Sequence, residues 1–293
     1  MKSLFSDTRS DFDGLYLQAG HSGAPTFSPL RRVAMAARGS ADGEDLEPTV
    51  ANFGVRVSVV IPTLNEAENL PYVLSALPRG LHEVIIVDGL STDDTVAVAR
   101  RLRPSARMVM QPRRGKGNAL AAGFAACTGD IVVTLDADGS TDAAEIPRFV
   151  AALCHGADFV KGSRFAQGGT SSDITRMRRL GNRALNALVN RLYGTSYTDL
   201  CYGYNAFWAR CLPYMRIDCD GFEVETLVNV RIAKGGLVIH EVPSCEGRRI
   251  HGRSNLHAVR DGTRVLRTIV RERAYAVSRW TRLPREWRDP STE

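Results

Sequence analysis

Between residues 55 and 165 the chain alternates between two hydrophobic rhythms. Stretches 57–62, 83–88 and 131–135 are short and rich in consecutive β-branched residues, as strands buried on both faces require, and 107–111 and 158–162 read as further strands. Between them the apolar positions fall at helical spacing. Leu70, Val73, Leu74 and Leu77 share one side after Asn65 and Glu66. The capping run Ser91-Thr92-Asp93-Asp94-Thr95 precedes a helix over 96–102. Small residues over 117–126 and a mixed segment over 145–153 complete the set. Strand and helix in strict alternation with short connections predict an α/β fold: a doubly wound, mainly parallel sheet with helices on both faces.

Beyond residue 170 the rhythm changes. Leu185, Leu188, Val189 and Leu192 follow Arg176-Met177-Arg178-Arg179 on a long helix, and a polar-aromatic segment occupies 199–207. A helix over 221–233 and a strand over 237–242 come next. Leu256, Val259, Thr263, Leu266, Ile269 and Val270 then recur at helical spacing between arginines, which predicts a C-terminal amphipathic helix. Residues 1–53 show no hydrophobic period and are expected to form a disordered extension, with Met35 a second possible start. The expected organisation is therefore an extension over 1–53, one domain over 54–255, and a basic helix and tail over 256–293.

Composition narrows the partners. A net charge of +6 and a pI near 9.1 favour ligands that carry phosphate or an anionic surface. A nucleic-acid binder would interleave aromatics with its basic patch; Tyr275, Trp280 and Trp287 are present, but no RNA-binding or helix-turn-helix motif accompanies them, so no nucleic acid is expected. The six cysteines form no CxxC pair and read as thiols of a reducing cytosol. No apolar run reaches the length of a membrane span, and Asp7, Asp11 and Asp13 argue against a secretory signal in the first residues. The expected location is cytoplasmic, with any membrane contact peripheral.

The chemistry is expected at strand ends, because open α/β sheets bind ligands outside the carboxyl ends of their strands. Asp136-Ala137-Asp138 sits there, after the run Ile131–Leu135, and alternate residues of extended chain point the same way. Two carboxylates without a convergent His or Cys set favour Mg2+ or Mn2+ as the metal at Asp136 and Asp138. Such a cation neutralises the charge that develops on a diphosphate leaving group. A nucleotidyltransferase shares this logic but wants a glycine-rich phosphate loop after the first strand, where this chain has Thr63-Leu64-Asn65-Glu66.

Five elements then occur in register: Val59-Val60-Ile61-Pro62-Thr63-Leu64-Asn65-Glu66; Ile86-Val87-Asp88 with Ser91-Thr92-Asp93; Gly115-Lys116-Gly117; Asp136-Ala137-Asp138; and Gly162-Ser163-Arg164-Phe165. Together they resemble the family-two inverting glycosyltransferases of GT-A fold, most nearly the dolichol- and polyprenyl-phosphate mannosyl- and glucosyltransferases, over roughly residues 56–273. The resemblance implies transfer of a hexose from a GDP- or UDP-sugar donor to a polyprenyl phosphate at the cytoplasmic membrane face. A non-lipid acceptor on the same fold is the alternative. It further implies that Pro62, Asn65, Glu66 and Asp88 line the base and ribose pocket, with Lys116 near the nucleotide. Asp136 and Asp138 would face metal, diphosphate and sugar. Arg164, an arginine of the Arg178–Arg179 pair, Arg249 and the loop residue Ser254 would handle phosphates.

Gly89, Ser140 and Asn255 depart from the family's usual aspartate, glutamine and lysine and leave donor and acceptor open. Inverting transfer to a hydroxyl needs a base; Asp199 and Glu225 are the candidates, each with a capping or ion-pair role as the alternative. A phosphate acceptor is already an oxyanion and needs none. The C-terminal arginines Arg260, Arg264, Arg267, Arg271 and Arg273 read either as a solvated face or as an interfacial helix on anionic lipid, with membrane contact favoured.

Overall fold

The computed structural model describes residues 49–275. Seven strands form one sheet: β1 (Val57–Thr63), β2 (Glu83–Asp88), β3 (Arg107–Met110), β4 (Ile131–Thr134), β5 (Phe159–Ser163), β7 (Asn205–Trp208) and β8 (Ile239–Pro243), in the order β3-β2-β1-β4-β7-β5-β8. Every neighbouring pair is parallel except the two that β7 makes with β4 and β5. β6 (Thr170–Ser171) and β9 (Cys245–Glu246) pair separately and in parallel. The sheet is the mainly parallel one the alternation predicts. The strand β7 lies within the polar-aromatic segment, where Asn205-Ala206-Phe207-Trp208 is too short to stand out by period alone.

The connections place α1 (Leu70–Ser75), α2 (Thr95–Leu102) and α4 (Ile146–Cys154) against one face of the sheet, where Val57, Val59, Ile61, Ile86 and Val133 meet Leu70, Val98, Ile146 and Phe149. The helix α3 (Lys116–Ala126) covers the other face of β1 and β2. Its Gly123 lies so close to the sheet that a methyl group there would overlap Val60 and Val87. The strand order reverses at β1, with β2 on one side and β4 on the other, so the carboxyl ends of β1 and β4 diverge at a switch point.

A second, smaller core joins α5 (Arg176–Tyr193), α7 (Val224–Lys234) and α8 (Ala258–Ala274) through Val189, Leu200, Val230, Val265 and Ile269. A short α6 (Leu212–Met215) precedes α7. The basic segment expected to stand apart over 256–293 therefore packs, as far as Tyr275, onto the same body. Its Glu272 is fully buried, with Oε1 2.8 Å from Arg231 and Oε2 3.3 Å from Lys234 on α7. Arg231 also reaches Asp218 at 2.8 Å. Arg271 joins this seam at 3.0 Å from Asp218, whereas Arg260, Arg264, Arg267 and Arg273 stand exposed, a division that periodicity in one helix does not disclose.

At the other end, residues 49–53 of the expected extension are packed. Val50 is fully buried in the main core, its N–H donates to the Arg79 carbonyl at 2.9 Å, and Ala51–Phe53 form a 3-10 turn. Residues 1–48 and 276–293, with Trp280 and Trp287, lie outside the described residues.

Two outcomes follow from this packing. Alanine is the better helix former by about 1 kcal/mol, yet Gly123→Ala should lower stability by about 1–3 kcal/mol, because a stiff buried valine must move; denaturant titration reads the sign. Glu272→Ala strands Arg231 and Lys234 without their buried partner and should cost about 3 kcal/mol, with faster hydrogen exchange along α8.

Candidate active site

A cleft of about 780 Å3 opens at the carboxyl ends of β1 and β4 and continues between the first turns of α5 and α8. Its inner end is built from turns. After β1, Asn65 takes a left-handed φ of 56°, which asparagine tolerates better than most residues. Its N–H donates to Ser91 Oγ at 2.9 Å and its Oδ1 accepts from the Thr92 N–H at 2.8 Å. The two loops after β1 and β2 are thereby braced to each other, and Asn65 works through that brace without lining the cleft.

Asp88 ends β2 and is almost wholly buried behind Gly89. One carboxylate oxygen accepts from the Ser91 N–H at 3.0 Å; the other is buried and has no hydrogen-bond partner among the described residues. A buried carboxylate oxygen left in this way suits a ligand donor. Pro62 lines the cleft beside it.

The Asp136-Ala137-Asp138 turn forms the floor. Asp136 Oδ1 receives the Lys116 ammonium at 2.6 Å, and Glu225 Oε1 lies 2.9 Å from the same ammonium. Burial alone would lower the Lys116 pKa, but the two carboxylates outweigh it and hold the lysine charged well above its ordinary range. Asp138 Oδ1 accepts from the Ser140 N–H at 3.0 Å and from its hydroxyl at 2.7 Å, while Oδ2 lies 3.3 Å from Arg249. Arg249 in turn grips Glu66 at 2.9 and 3.1 Å. Burial lifts the Glu66 carboxyl above its usual range, against the pull of Asn69 and Arg249. Glu66 is thus the seat of Arg249 as well as a wall of the cleft.

Asp136 and Asp138 both line the cleft and offer hard oxygen donors only, with Lys116 on Asp136 Oδ1, Ser140 on Asp138 Oδ1 and the longer Arg249 contact on Asp138 Oδ2. That donor chemistry fits Mg2+ or Mn2+. Among the described residues no third His, Cys, Asp or Glu completes a ligand group, so ligand or water oxygens would fill the remaining positions.

The expected phosphate residues divide. Arg178 lines the cleft, 3.4 Å from Asp173, and Ser254 lines it with its Oγ accepting from the Leu256 N–H at 3.3 Å. Arg179 stands outside the lining, its guanidinium 5.1 Å from the Phe165 ring centroid. Arg164 touches the cleft but is engaged elsewhere: it holds both oxygens of Asp199 at 2.7 and 2.9 Å and Glu246 at 2.9 Å, and it stacks on Tyr202.

Of the two candidate bases, Asp199 is fully buried and faces Arg164 and Asn182, not the cleft. Burial would raise its pKa, but the Arg164 guanidinium overrides that and keeps its carboxyl below the usual range. Glu225 does line the cleft, with Asn205 Nδ2 donating to it at 3.3 Å.

One contributor lies outside the motifs. Gly203 passes so close to the charged cluster that a Cβ there would lie 2.8 Å from Lys116 Nζ, 3.0 Å from Glu225 Oε1 and 3.1 Å from Asp136 Oδ2. A glycine between Tyr202 and Tyr204 is the available signal for it. Of the Gly115-Lys116-Gly117 motif, Gly115 takes a φ of 111° and Gly117 donates its N–H to the Asp220 carbonyl at 2.9 Å, docking the loop under residues 219–220. Nothing local marks that partner, because it is a hundred residues away.

Comparison with known proteins bears on the fold and the family. An uncharacterized glycosyltransferase of Mycobacterium tuberculosis is 50% identical over 111 residues, 38% of this chain and 50% of that protein, so the chain spans about half its length. The polyprenol monophosphomannose synthase of Mycolicibacterium smegmatis is 30% identical over 251 residues, covering 81% of this chain and 91% of the relative. Among solved structures, the glucosyl-3-phosphoglycerate synthase of Mycobacterium tuberculosis, in complex with Mn2+, uridine diphosphate and glucosyl-3-phosphoglycerate, superposes with a TM-score of 0.62 at 28% identity, over 77% of this chain and 82% of that one. The family model for "Glycosyl transferase family 2" matches residues 58–212, more than half of the sequence, and the chain belongs to that family.

Proposed function

We propose that this protein is an inverting, Mg2+- or Mn2+-dependent glycosyltransferase that moves a hexose from a UDP- or GDP-sugar to a polyprenyl phosphate at the cytoplasmic face of a membrane. The observation that carries the acceptor half is the lining of the cleft. Besides Asp136 and Asp138 it includes Arg178, Arg248, Arg260 and Arg264, together with Ile174, Met177 and Leu185 of the α5 side and Leu256, Val259 and Val265 of the α8 side. Carboxylates suited to a divalent cation, arginines suited to phosphate and apolar side chains suited to an alkyl chain thus share one cleft. Met177 and Val259 of this lining stand exposed, as do Leu180 and Val270 on the same two helices, among Arg176, Arg260 and Arg267, a composition suited to an anionic lipid surface. Among the described residues no helix is long and apolar enough to cross a membrane.

The donor half draws on the partnerless oxygen of Asp88, which lies behind the cleft-lining Gly89 and has an acceptor to spare for a base N–H, and on the uridine diphosphate and Mn2+ bound by the solved relative. A divalent cation at Asp138 and Asp136 supplies charge neutralisation for the departing diphosphate. Lys116 fixes Asp136 in place, and Glu225 fixes Lys116. Asp199 orients Arg164 and takes no proton. A phosphate acceptor agrees with this, since an oxyanion attacks the sugar without a base. The arginines bring that oxyanion to the sugar's far side, and the apolar lining excludes water that would otherwise compete.

A non-lipid acceptor is the second reading, favoured by the phosphoglycerate product in the solved relative. Transfer assays with a long-chain prenyl phosphate in vesicles and with 3-phosphoglyceric acid in solution separate the two.

Asp138→Ala should abolish transfer and remove any Mn2+-dependent rise in melting temperature with UDP or GDP, while the protein alone melts as wild type; retained activity defeats the metal role. Met177→Asp with Val259→Asp should lower transfer to vesicle-borne prenyl phosphate by at least about tenfold, since each charge must leave an apolar contact. Nucleotide binding in that double variant should be unchanged, and wild-type lipid turnover would argue for the soluble acceptor.

A further inference from the structure

Both carboxylates of the Asp136–Asp138 turn already face a cation of the protein itself, and the two cations are held with unequal firmness. Lys116 Nζ sits 2.6 Å from Asp136 and 2.9 Å from Glu225, walled in by Gly203, and its side chain is 14% exposed. Of the two cations it makes the shorter contact with the turn and is the less exposed. Arg249 is built differently. Its Nη1 binds both oxygens of Glu66 at 2.9 and 3.1 Å, whereas Nη2 meets Asp138 Oδ2 at only 3.3 Å. Its Nε is buried with no hydrogen-bond partner among the described residues.

The seat is rigid. Asn69 Nδ2 donates to Glu66 Oε2 at 2.6 Å, and the Glu66 N–H donates to Thr95 Oγ1 at 2.8 Å. The loop around Arg249 is tied down without help from its side chain. The Ile250 N–H donates to the Asp138 carbonyl at 3.2 Å, and the His251 N–H donates to Asn69 Oδ1 at 2.9 Å. Arg249 can therefore release Asp138 and keep both Glu66 and its place in the loop.

We infer that Arg249 is a displaceable stand-in for the divalent cation, neutralising Asp138 until the cation arrives and then turning its freed arm to the diphosphate. The inference rests on the proposed metal role of Asp138. A guanidinium arm and a divalent cation drawn to the same carboxylate oxygen repel each other across it, so the arm competes with the cation. The same arm, once free, is a donor for an oxyanion in the same cleft, so cation and diphosphate binding reinforce each other. Glu66 serves as the pivot, a positioning role distinct from contact with base or ribose.

The test uses the full chain without nucleotide and MnCl2 as the probe, followed by titration calorimetry or by the electron paramagnetic resonance of free Mn2+. If the arm covers Asp138 nine-tenths of the time, removing it tightens apparent Mn2+ affinity about tenfold. Arg249→Gln and Arg249→Lys should both show this gain. The lysine keeps the positive charge but lacks the fork that spans Glu66 and Asp138, so a gain there assigns the effect to the direct contact. In both variants the rise in Mn2+ affinity on adding UDP should shrink. Affinity unchanged or weakened in both variants, or tightened in Arg249→Gln alone, overturns the inference. Absence of Mn2+ binding by the wild type with and without UDP, or binding that Asp138→Asn leaves intact, instead overturns the metal role and the inference with it. Melting curves of each variant establish that it is folded.

Discussion

Two carboxylates held side by side at the end of a buried strand repel each other and lose much of their hydration, and the structure around them is arranged to offset both costs. The parallel pairing of β1 with β4 puts Asp136 and Asp138 beside the switch point, where no neighbouring strand covers them. Lys116 answers the first carboxylate from the start of α3, and Arg249 answers the second from a loop more than a hundred residues further on. Most of the unusual backbone nearby serves that pairing. Gly115 and Gly117 let the lysine loop dock under residues 219–220, and Gly203 leaves the room in which Lys116, Asp136 and Glu225 meet.

The acceptor side has a similar logic, one shell further out. Arg164, fixed by Asp199 and Glu246 and stacked on Tyr202, closes the wall between the floor and the helical mouth. Both of its carboxylate partners are nearly buried, so loss of any member would leave a buried charge without its counterpart, which costs more than breaking an exposed ion pair. The α8 helix, whose first turns line the cleft, rests on α7 through the buried Glu272.

Arginine recurs because the site needs cations that can hold two oxygen groups at once. Arg164 spans Asp199 and Glu246, Arg231 spans Asp218 and Glu272, and Arg249 spans Glu66 and Asp138. A planar fork achieves this where an ammonium on a flexible stem does so less selectively. The difference among the three lies in how evenly the two grips are matched, and only Arg249 has one clearly longer contact facing the cleft.

The sheet was legible in the sequence because strands buried on both faces must be apolar at consecutive positions; β2 spans 83–88, as its pattern predicts, and β1, β3, β4 and β5 agree within a residue or two. The carboxyl-end position of Asp136 and Asp138 was legible for the same reason, since it follows from the order of strand and motif. β7 was not, because an antiparallel strand of four residues leaves too short a period. Nor did the residue types of Arg164, Asp199, Arg249 and Glu225 reveal their partners. A guanidinium suits a ligand phosphate and a protein carboxylate equally well, and which it meets depends on contacts between residues 35 to 183 positions apart. Local sequence thus determined the elements and the strand ends on which chemistry can sit, whereas long-range packing alone decided which charges face the cleft and which face one another.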